Sequence, residues 1–221
     1  MISVLGIGWI DGEGRGIPTS HECNDGTVEL PGKDIFSYPF KNLGRLDQIS
    51  RMTAYTVAIA LKDAGISYAQ DRKLDMGIIG TNALGSLCSD IRYFRDYVET
   101  GRTTARGNLF IYTLPSSPLG EAAIHFGLQG PLLYMAGAEN PLMMIIDAAA
   151  EMIVFDEVPS MLAGIFEENS AVCFVLMKDT ECAGHKYMCD IALVRQLAGE
   201  RMTLAEIIRE LSKLKERKQP E

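Results

Sequence analysis

The chain has 221 residues, with 21 Lys and Arg against 29 Asp and Glu, a formal charge of −8 and a pI near 5.0. With 47% hydrophobic and 23% charged residues it falls outside the disordered and collagen-like classes. The acidic balance speaks against a nucleic-acid or anionic-membrane partner held by bulk charge, leaving only a local basic patch open.

Five cysteines (Cys23, Cys88, Cys173, Cys182 and Cys189) are odd in number and include no Cys-x-x-Cys pair. Residues 1–10 are apolar but lack a basic leader and run straight into Asp11. The longest apolar runs are broken by Asp147, Glu151 and Asp156, short of the ~20 residues a membrane span needs. The expectation is a reduced, soluble, cytoplasmic protein of one domain, with no disulfide scaffold and no membrane span.

Residues 2–10 read as a strand closed by a glycine-rich loop. Gly6-x-Gly8 before that loop imitates a dinucleotide-binding turn, but the glycine spacing is wrong and no amphipathic helix begins there. Residues 11–43, with Pro18, Pro31 and Pro39, are loop-rich and have room for a small hairpin. Leu46, Ile49, Met52, Val57, Ala60 and Leu61 then recur near the helical period, and Gly65 supplies a stop.

A buried strand is expected over 75–80, turning through 81–85 into a helix over 89–99 closed by Gly101. A phosphate-loop reading of that turn fails because no Lys-Ser or Lys-Thr follows. Residues 119–126 read as a helix ended by Gly127, and 132–136 as a strand. Pro141 opens the most apolar helix, 142–155, at a position where its missing N–H is harmless. Strands are expected over 158–165, 171–177 and 187–193, and an amphipathic helix over 203–215 with Met202 or Thr203 near its N-cap. Alternating strands and helices predict a mostly parallel sheet covered on both faces, with the late strands forming an antiparallel edge.

The helix over 142–155 is apolar around nearly its whole circumference in its first and last turns, so it is expected to be buried on more than one side. Either it is internal to one domain, or a second sheet from another chain covers its far side.

Several segments resemble the N-terminal half of a β-ketoacyl synthase, of the thiolase-like condensing-enzyme fold. Residues 2–10 are similar to the opening strand. Leu43-Gly44-Arg45-Leu46-Asp47, with the helix ending Asp63-Ala64-Gly65-Ile66, is similar to the family's Arg-Met-Asp-Arg helix and Asp-Ala-Gly-Ile ending. Gly77-Ile78-Ile79-Gly80-Thr81 through Gly85 resembles its glycine-rich strand-turn. Leu114-Pro115 and Ile124-His125-Phe126-Gly127-Leu128-Gln129-Gly130-Pro131 resemble its "Ile-x-Phe-Gly-Leu-x-Gly-Pro" stretch, and Asp147-Ala148-Ala149 and residues 170–176 resemble later landmarks. The resemblance runs from residue 1 to about 194. It implies an α/β fold, a thiolase-like half with a five-stranded mixed sheet and helices on both faces, over 1–199, followed by a C-terminal amphipathic helix and tail over 200–221.

In the family a nucleophilic Cys at the start of the central helix carries the acyl chain as a thioester, its thiolate favoured by the helix N-terminus. Counting back from Asp147-Ala148-Ala149 puts Ala138 at that position; counting forward from Gly130-Pro131 puts Glu139 there. Neither is a thiol. Cys173 reads as a small core hydrophobe and Cys88, just past the Gly85 turn, as a weak replacement. The family's catalytic histidines belong to its second half, and the resemblance assigns His125 to packing.

These departures imply a ketosynthase-like protein of type II fatty-acid or polyketide (aryl-polyene-like) biosynthesis that is a non-catalytic, chain-length-factor-like partner. Ala138, Glu139, Asn140, Met143 and Met144 are the pocket candidates. Leu132, Leu133, Tyr134 and Met135 are the interface candidates, since family dimers pair through an edge strand. The partners implied are a second copy or a complete ketosynthase, with an acyl carrier protein or acyl chain.

Two other readings stand beside this one. In the first, Glu139 opens the helix and acts as a base on acyl thioesters, or merely caps it, for ~0.3–1 kcal/mol. In the second, Met135, Met143, Met144, Met152 and Met161 make an adaptable apolar pocket for an acyl chain or carrier protein without turnover, or are simply core. No cofactor is expected. Cys182-x2-His185-x3-Cys189 and His21-x-Cys23 have metal-like spacings but too few ligands, so no metal is expected either.

Overall fold

A computed structural model of the protein describes residues 1–11, 14–17, 20–23, 30, 32–102, 106–182, 187–200 and 202–216. Strand β1 (Ile2–Ile10) is buried along its entire length. On one edge it pairs antiparallel with β7 (Ala171–Lys178). Its other edge is shared by β2 (Gly14–Ile17) at Trp9–Ile10 and the two-residue β8 (Cys189–Asp190) at Ser3–Val4. Strand β3 (Ser20–Cys23) completes the hairpin with β2. Beyond β7 lie β6 (Ser160–Phe166), β4 (Gly77–Thr81) and β5 (Leu132–Tyr134), giving the order β3-β2-β1-β7-β6-β4-β5.

Among the described residues the sheet has eight strands where five are expected, the other three all lying beyond β1. It is mixed, as the resemblance implies, rather than mostly parallel, and among these strands β4 alone pairs in parallel, with β5 and β6. The late strands β6 and β7 do form an antiparallel pair, but β7 sits inside the sheet between β6 and β1, not at an edge. Alternation of strands and helices fixes which segments are strands, but not the order in which a returning strand is inserted.

Helices cover both faces. Helix α1 (Gln48–Asp63) starts at Asp47, whose carboxylate accepts from Ser50 N at 2.9 Å. It packs on β1 and β7, and beside it α4 (Ser117–Phe126), which ends at Gly127 with φ +68°, lies against β4 and β5. The contact with β1 is made at Gly6 and Gly8. A Cβ on Gly8 would lie 2.3 Å from Thr56 O, and one on Gly6 2.5 Å from Ala64 N. The glycine pair that imitates a nucleotide-binding turn is thus a bare patch of strand backbone on which a helix rests.

The second face carries α5 (Pro141–Val154), α6 (Ile191–Gly199) and α7 (Leu204–Glu216), whose buried Ile145, Ile146, Val194, Leu197, Ile207 and Leu211 form one cluster with Ile7, Trp9 and Phe174 of the sheet. Residues 187–193, expected as a strand, give only the short β8 before turning helical. Asp190 caps α6 by accepting from Ala192 N at 2.7 Å. Helix α7 opens with a capping box, in which Thr203 N donates to Glu206 Oε2 and Glu206 N to Thr203 Oγ1. Helix α2 (Leu87–Glu99) and the single-turn α3 (Gly107–Phe110) pack against each other and against the turn at Ile111–Thr113. No helix among the described residues is long and apolar enough to cross a membrane.

Two glycine substitutions should move stability in opposite directions. Gly8→Ala drives a methyl into the α1 backbone and is expected to cost roughly 1–3 kcal/mol. Gly120→Ala, inside α4 with nothing within 4 Å of the new Cβ, is expected to stabilise by about 0.5–1 kcal/mol. Urea unfolding midpoints at constant m-value would measure both.

Candidate functional site

The chain leaves β5, turns at Gly137 with φ +85°, and enters α5 through Ala138, Glu139 and Asn140. Pro141 supplies the first helical residue, preset for the helical φ. The cap is Asn140 rather than Glu139: its Oδ1 accepts from Met143 N at 3.0 Å. Its Nδ2 donates to Ala198 O at 2.8 Å, so one side chain closes the start of α5 and the end of α6 together. Between these ends opens a cleft of about 540 Å³. Glu139 and Asn140 stand on its wall, Leu142 and Ile165 line its inner side, and Met202, Leu204 and Ile207 come from the α6–α7 segment.

Glu139 is exposed, whereas Ala138, Met143 and Met144 are half-buried. The Glu139 carboxylate stands beside the positive end of α5, where a helix terminus favours negative charge. The residues of α6 and α7 that build this cleft were not read as site residues from the sequence. The Asp190 cap before the apolar residues Ile191, Val194 and Leu197 was the available signal.

Helix α5 is covered by its own chain on two sides. Its inner side packs on the sheet and α6 lies beside it, tied by Arg195 Nε to Asp147 Oδ1 at 2.7 Å. Val154 and Phe155 remain exposed at its far end.

The interface candidates lie at the end of the sheet. Leu132 and Leu133 are more than a third exposed, and β5 is paired on one side only, with β4. The Tyr134 hydroxyl donates to Asn82 Oδ1 at 2.9 Å, and Met135 N donates to Gly80 O, so the strand is fixed inward to the Gly80 turn.

Cys88 is the second residue of α2. Burial and then the Glu168 carboxylate raise its thiol pKa, which opposes a nucleophilic role. Cys173 is wholly buried in β7, and burial raises its pKa too.

His125, in α4, is 6% exposed and enclosed by Phe36, Tyr38, Phe40, Tyr68 and Phe126, with the Phe40 ring stacked at 4.0 Å. Its Nε2 has no hydrogen-bond partner, and burial pushes its pKa down to about 4. Of the metal-like spacings, His185 lies outside the described residues, as do the side chains of His21 and Cys23. Cys182 is half-buried and Cys189 is buried in β8.

A sequence model described as "Beta-ketoacyl synthase, N-terminal domain" matches residues 17–173, more than half of the chain. No curated protein matches. Among solved structures, similarity extends to an ishigamide ketosynthase/chain length factor, with 14% identity and TM-score 0.64 over 81% of this chain and 63% of that one. A β-ketoacyl synthase from Burkholderia phymatum gives 16% and 0.61 over 82% and 60%. A type II polyketide synthase ketosynthase, in complex with its acyl-carrier protein, gives 12% and 0.63 over 85% and 60%. The chain thus spans about three-fifths of the length of these proteins.

The Asn140 clasp and the His125 box each generate a test. Asn140→Ala removes both bonds and should destabilise by about 1–2 kcal/mol. Asn140→Asp keeps the cap but sets a carboxylate against Ala198 O, so hydrogen exchange should rise at the α6 C-terminus in both variants and at the first turn of α5 only in Asn140→Ala.

For His125, the unfolded ring titrates near 6.5 and the folded ring near 4, so between these values only the unfolded chain takes up a proton. Stability should therefore fall as pH is lowered from about 6.5 to about 4, by roughly 3 kcal/mol in all. His125→Phe should remove that share of the pH dependence in chemical denaturation curves.

Proposed function

The chain belongs to the β-ketoacyl synthase N-terminal-domain family, and from that premise we propose that it is a ketosynthase-like subunit of type II fatty-acid or polyketide biosynthesis that forms no acyl-enzyme. It acts in the cytoplasm as a chain-length-factor-like partner of a complete ketosynthase. The observation that carries this reading is the entry to α5. Where the family's thioester chemistry requires a thiol, residues 136–144 read Ala-Gly-Ala-Glu-Asn-Pro-Leu-Met-Met. Neither Ala138 nor Glu139 supplies a nucleophile able to hold an acyl group as a thioester. The amide of Met143, one of those a helix N-terminus offers to an anion, is taken by Asn140.

The cleft supports the same role. Its volume lies in the range of small-molecule sites, and its inner residues Leu142, Ile165 and Ile207 suit an alkyl chain. A subunit that accepts the growing chain without bonding to it would limit length by shape alone. Similarity to a ketosynthase/chain length factor and to a ketosynthase held by an acyl-carrier protein agrees with partners of those kinds.

A second reading rests on Glu139, whose side chain is on the cleft wall. There it would act as a base toward an acyl thioester, in decarboxylation or hydrolysis. A third, binding of an acyl chain or carrier protein without turnover, uses the same cleft with Met143 and Met144 beside it.

One experiment separates them: incubation with acyl- and malonyl-loaded carrier protein, alone and with a complete ketosynthase, followed by intact mass and product profile. The expected result is no covalent adduct on this chain and a changed product length when the ketosynthase is present. An acyl adduct on this chain overturns the proposal. Turnover without an adduct, abolished by Glu139→Gln, establishes the second reading instead, and ligand retention with no effect on the ketosynthase establishes the third.

A further inference from the structure

Two helices begin at the cleft, and both have most of their first-turn donors in use. Helix α5 enters with Pro141, which has no N–H, while Met143 N is bonded to Asn140 Oδ1 and Met144 N to Asn140 O at 3.1 Å. The Asn140 side-chain amide, a further donor at this end, is turned to Ala198 O. Helix α7 lines the cleft with Leu204 and Ile207, and its first turn is closed in the same manner. Thr203 N donates to Glu206 Oε2, Glu206 N to Thr203 Oγ1, and Ile207 N to Thr203 O.

Each of these ends also carries a carboxylate. A helix N-terminus is worth about half a positive charge, so a full negative charge beside it reverses the sign of that end rather than cancelling it. At α7 the carboxylate is Glu206, whose pKa is lowered by its hydrogen bonds from Thr203. At α5 it is Glu139, exposed on the cleft wall and the only ionisable group lining the cleft among the described residues. No Lys or Arg among those lining residues answers it, and the inner wall of Leu142, Ile165 and Ile207 is apolar. A guest with an alkyl chain lays that chain inward and meets, with its polar end, an acidic mouth whose helix donors are largely taken.

We propose that Glu139 sets the charge selectivity of the cleft: it admits an alkyl chain whose polar end is uncharged, as in an acyl thioester, and turns away the same chain ending in a free carboxylate. That role presupposes the alkyl-chain cleft of the proposed function, and it requires no bond to be made or broken. Hydrolysed acyl groups then do not compete for the cleft with chains still held as thioesters.

The test is isothermal titration calorimetry of the full chain at about pH 8, where a carboxylate is ionised, and at low ionic strength. Three probes of equal chain length are used below their micelle concentrations: decanoate, the decanoyl thioester of N-acetylcysteamine, and decyltrimethylammonium. The thioester and the cation should bind at least about threefold more tightly than decanoate, by a ratio that shrinks as salt is added. Glu139→Gln should tighten decanoate by about threefold and loosen the cation while leaving the thioester unmoved, and Glu139→Lys should put decanoate ahead of the cation. Circular dichroism of both variants should match the wild type, since Glu139 is exposed and Asn140 caps α5. A decanoate affinity unmoved by Glu139→Gln overturns the filter and leaves an acyl-binding cleft standing. Equal weakening of all three probes marks a structural role and overturns the filter as well. If the wild type binds none of them, the filter and the acyl-binding cleft fall together.

Discussion

Helix α1 rests on the backbone of β1 where Gly6 and Gly8 have no side chains, and the orientation of the whole β1 strand follows from that contact. A β-strand sends successive side chains to opposite faces, so residues 2, 4, 6 and 8 should share one face. They do not. Ile2 and Val4 point to the face of α5 and α6, as do Ile7 and Trp9, while Gly6 and Gly8 face α1. The change of parity is made by an irregularity in the β1–β7 register between Val4 and Gly6. Without that shift either the glycines or the large residues would meet the wrong layer. Asp63, at the far end of α1, accepts from Ile7 N at 2.9 Å and holds the helix end to the reset strand.

The second layer depends on the first. With Ile7 and Trp9 delivered to its face, the sheet offers an apolar floor to α5, and α6 takes the place beside it over β1. An apolar central helix had suggested cover from another chain. Much of that cover comes from this chain's own 191–211, joined to α5 through Asn140. The open cleft lies where these helices come together, so the entry to α5 and the late helices form one structural unit.

Much of the architecture was legible in the sequence because it rests on local signals. The strand over 2–10, the apolar period of the helix from Leu46, the glycine stops at 65, 101 and 127, and Pro141 before α5 are all signals that the backbone itself obeys. What was hidden depends on partners distant in sequence. The insertion of β7 between β6 and β1 is a pairing choice, and the short β8 exists only because Ser3 and Val4 are there to receive it. Residues 187–193 have enough Tyr, Met, Cys, Ile and Leu to look like a strand, and only the Asp190 cap reveals the helix. At the site the sequence offered Glu139 as the helix cap, whereas Asn140 caps α5 and also bonds Ala198, a partner 58 residues away. The same limit hid the outward turn of α2, whose Leu87, Ile91 and Phe94 are exposed. Amphipathic spacing says that a helix has an apolar side and nothing about whether its own chain will cover it.

The clasp between Asn140 and Ala198 also fixes when the cleft comes into being. Its inner wall belongs to the middle of the chain and its outer wall to residues 198–207, so nothing upstream can close it before those last helices have been synthesised and docked. A contact across 58 residues carries a loop-closure cost that a local cap does not. Any molecule that bound there would bind only the finished fold, and by mass action would stabilise α6 and α7 in their places on α5.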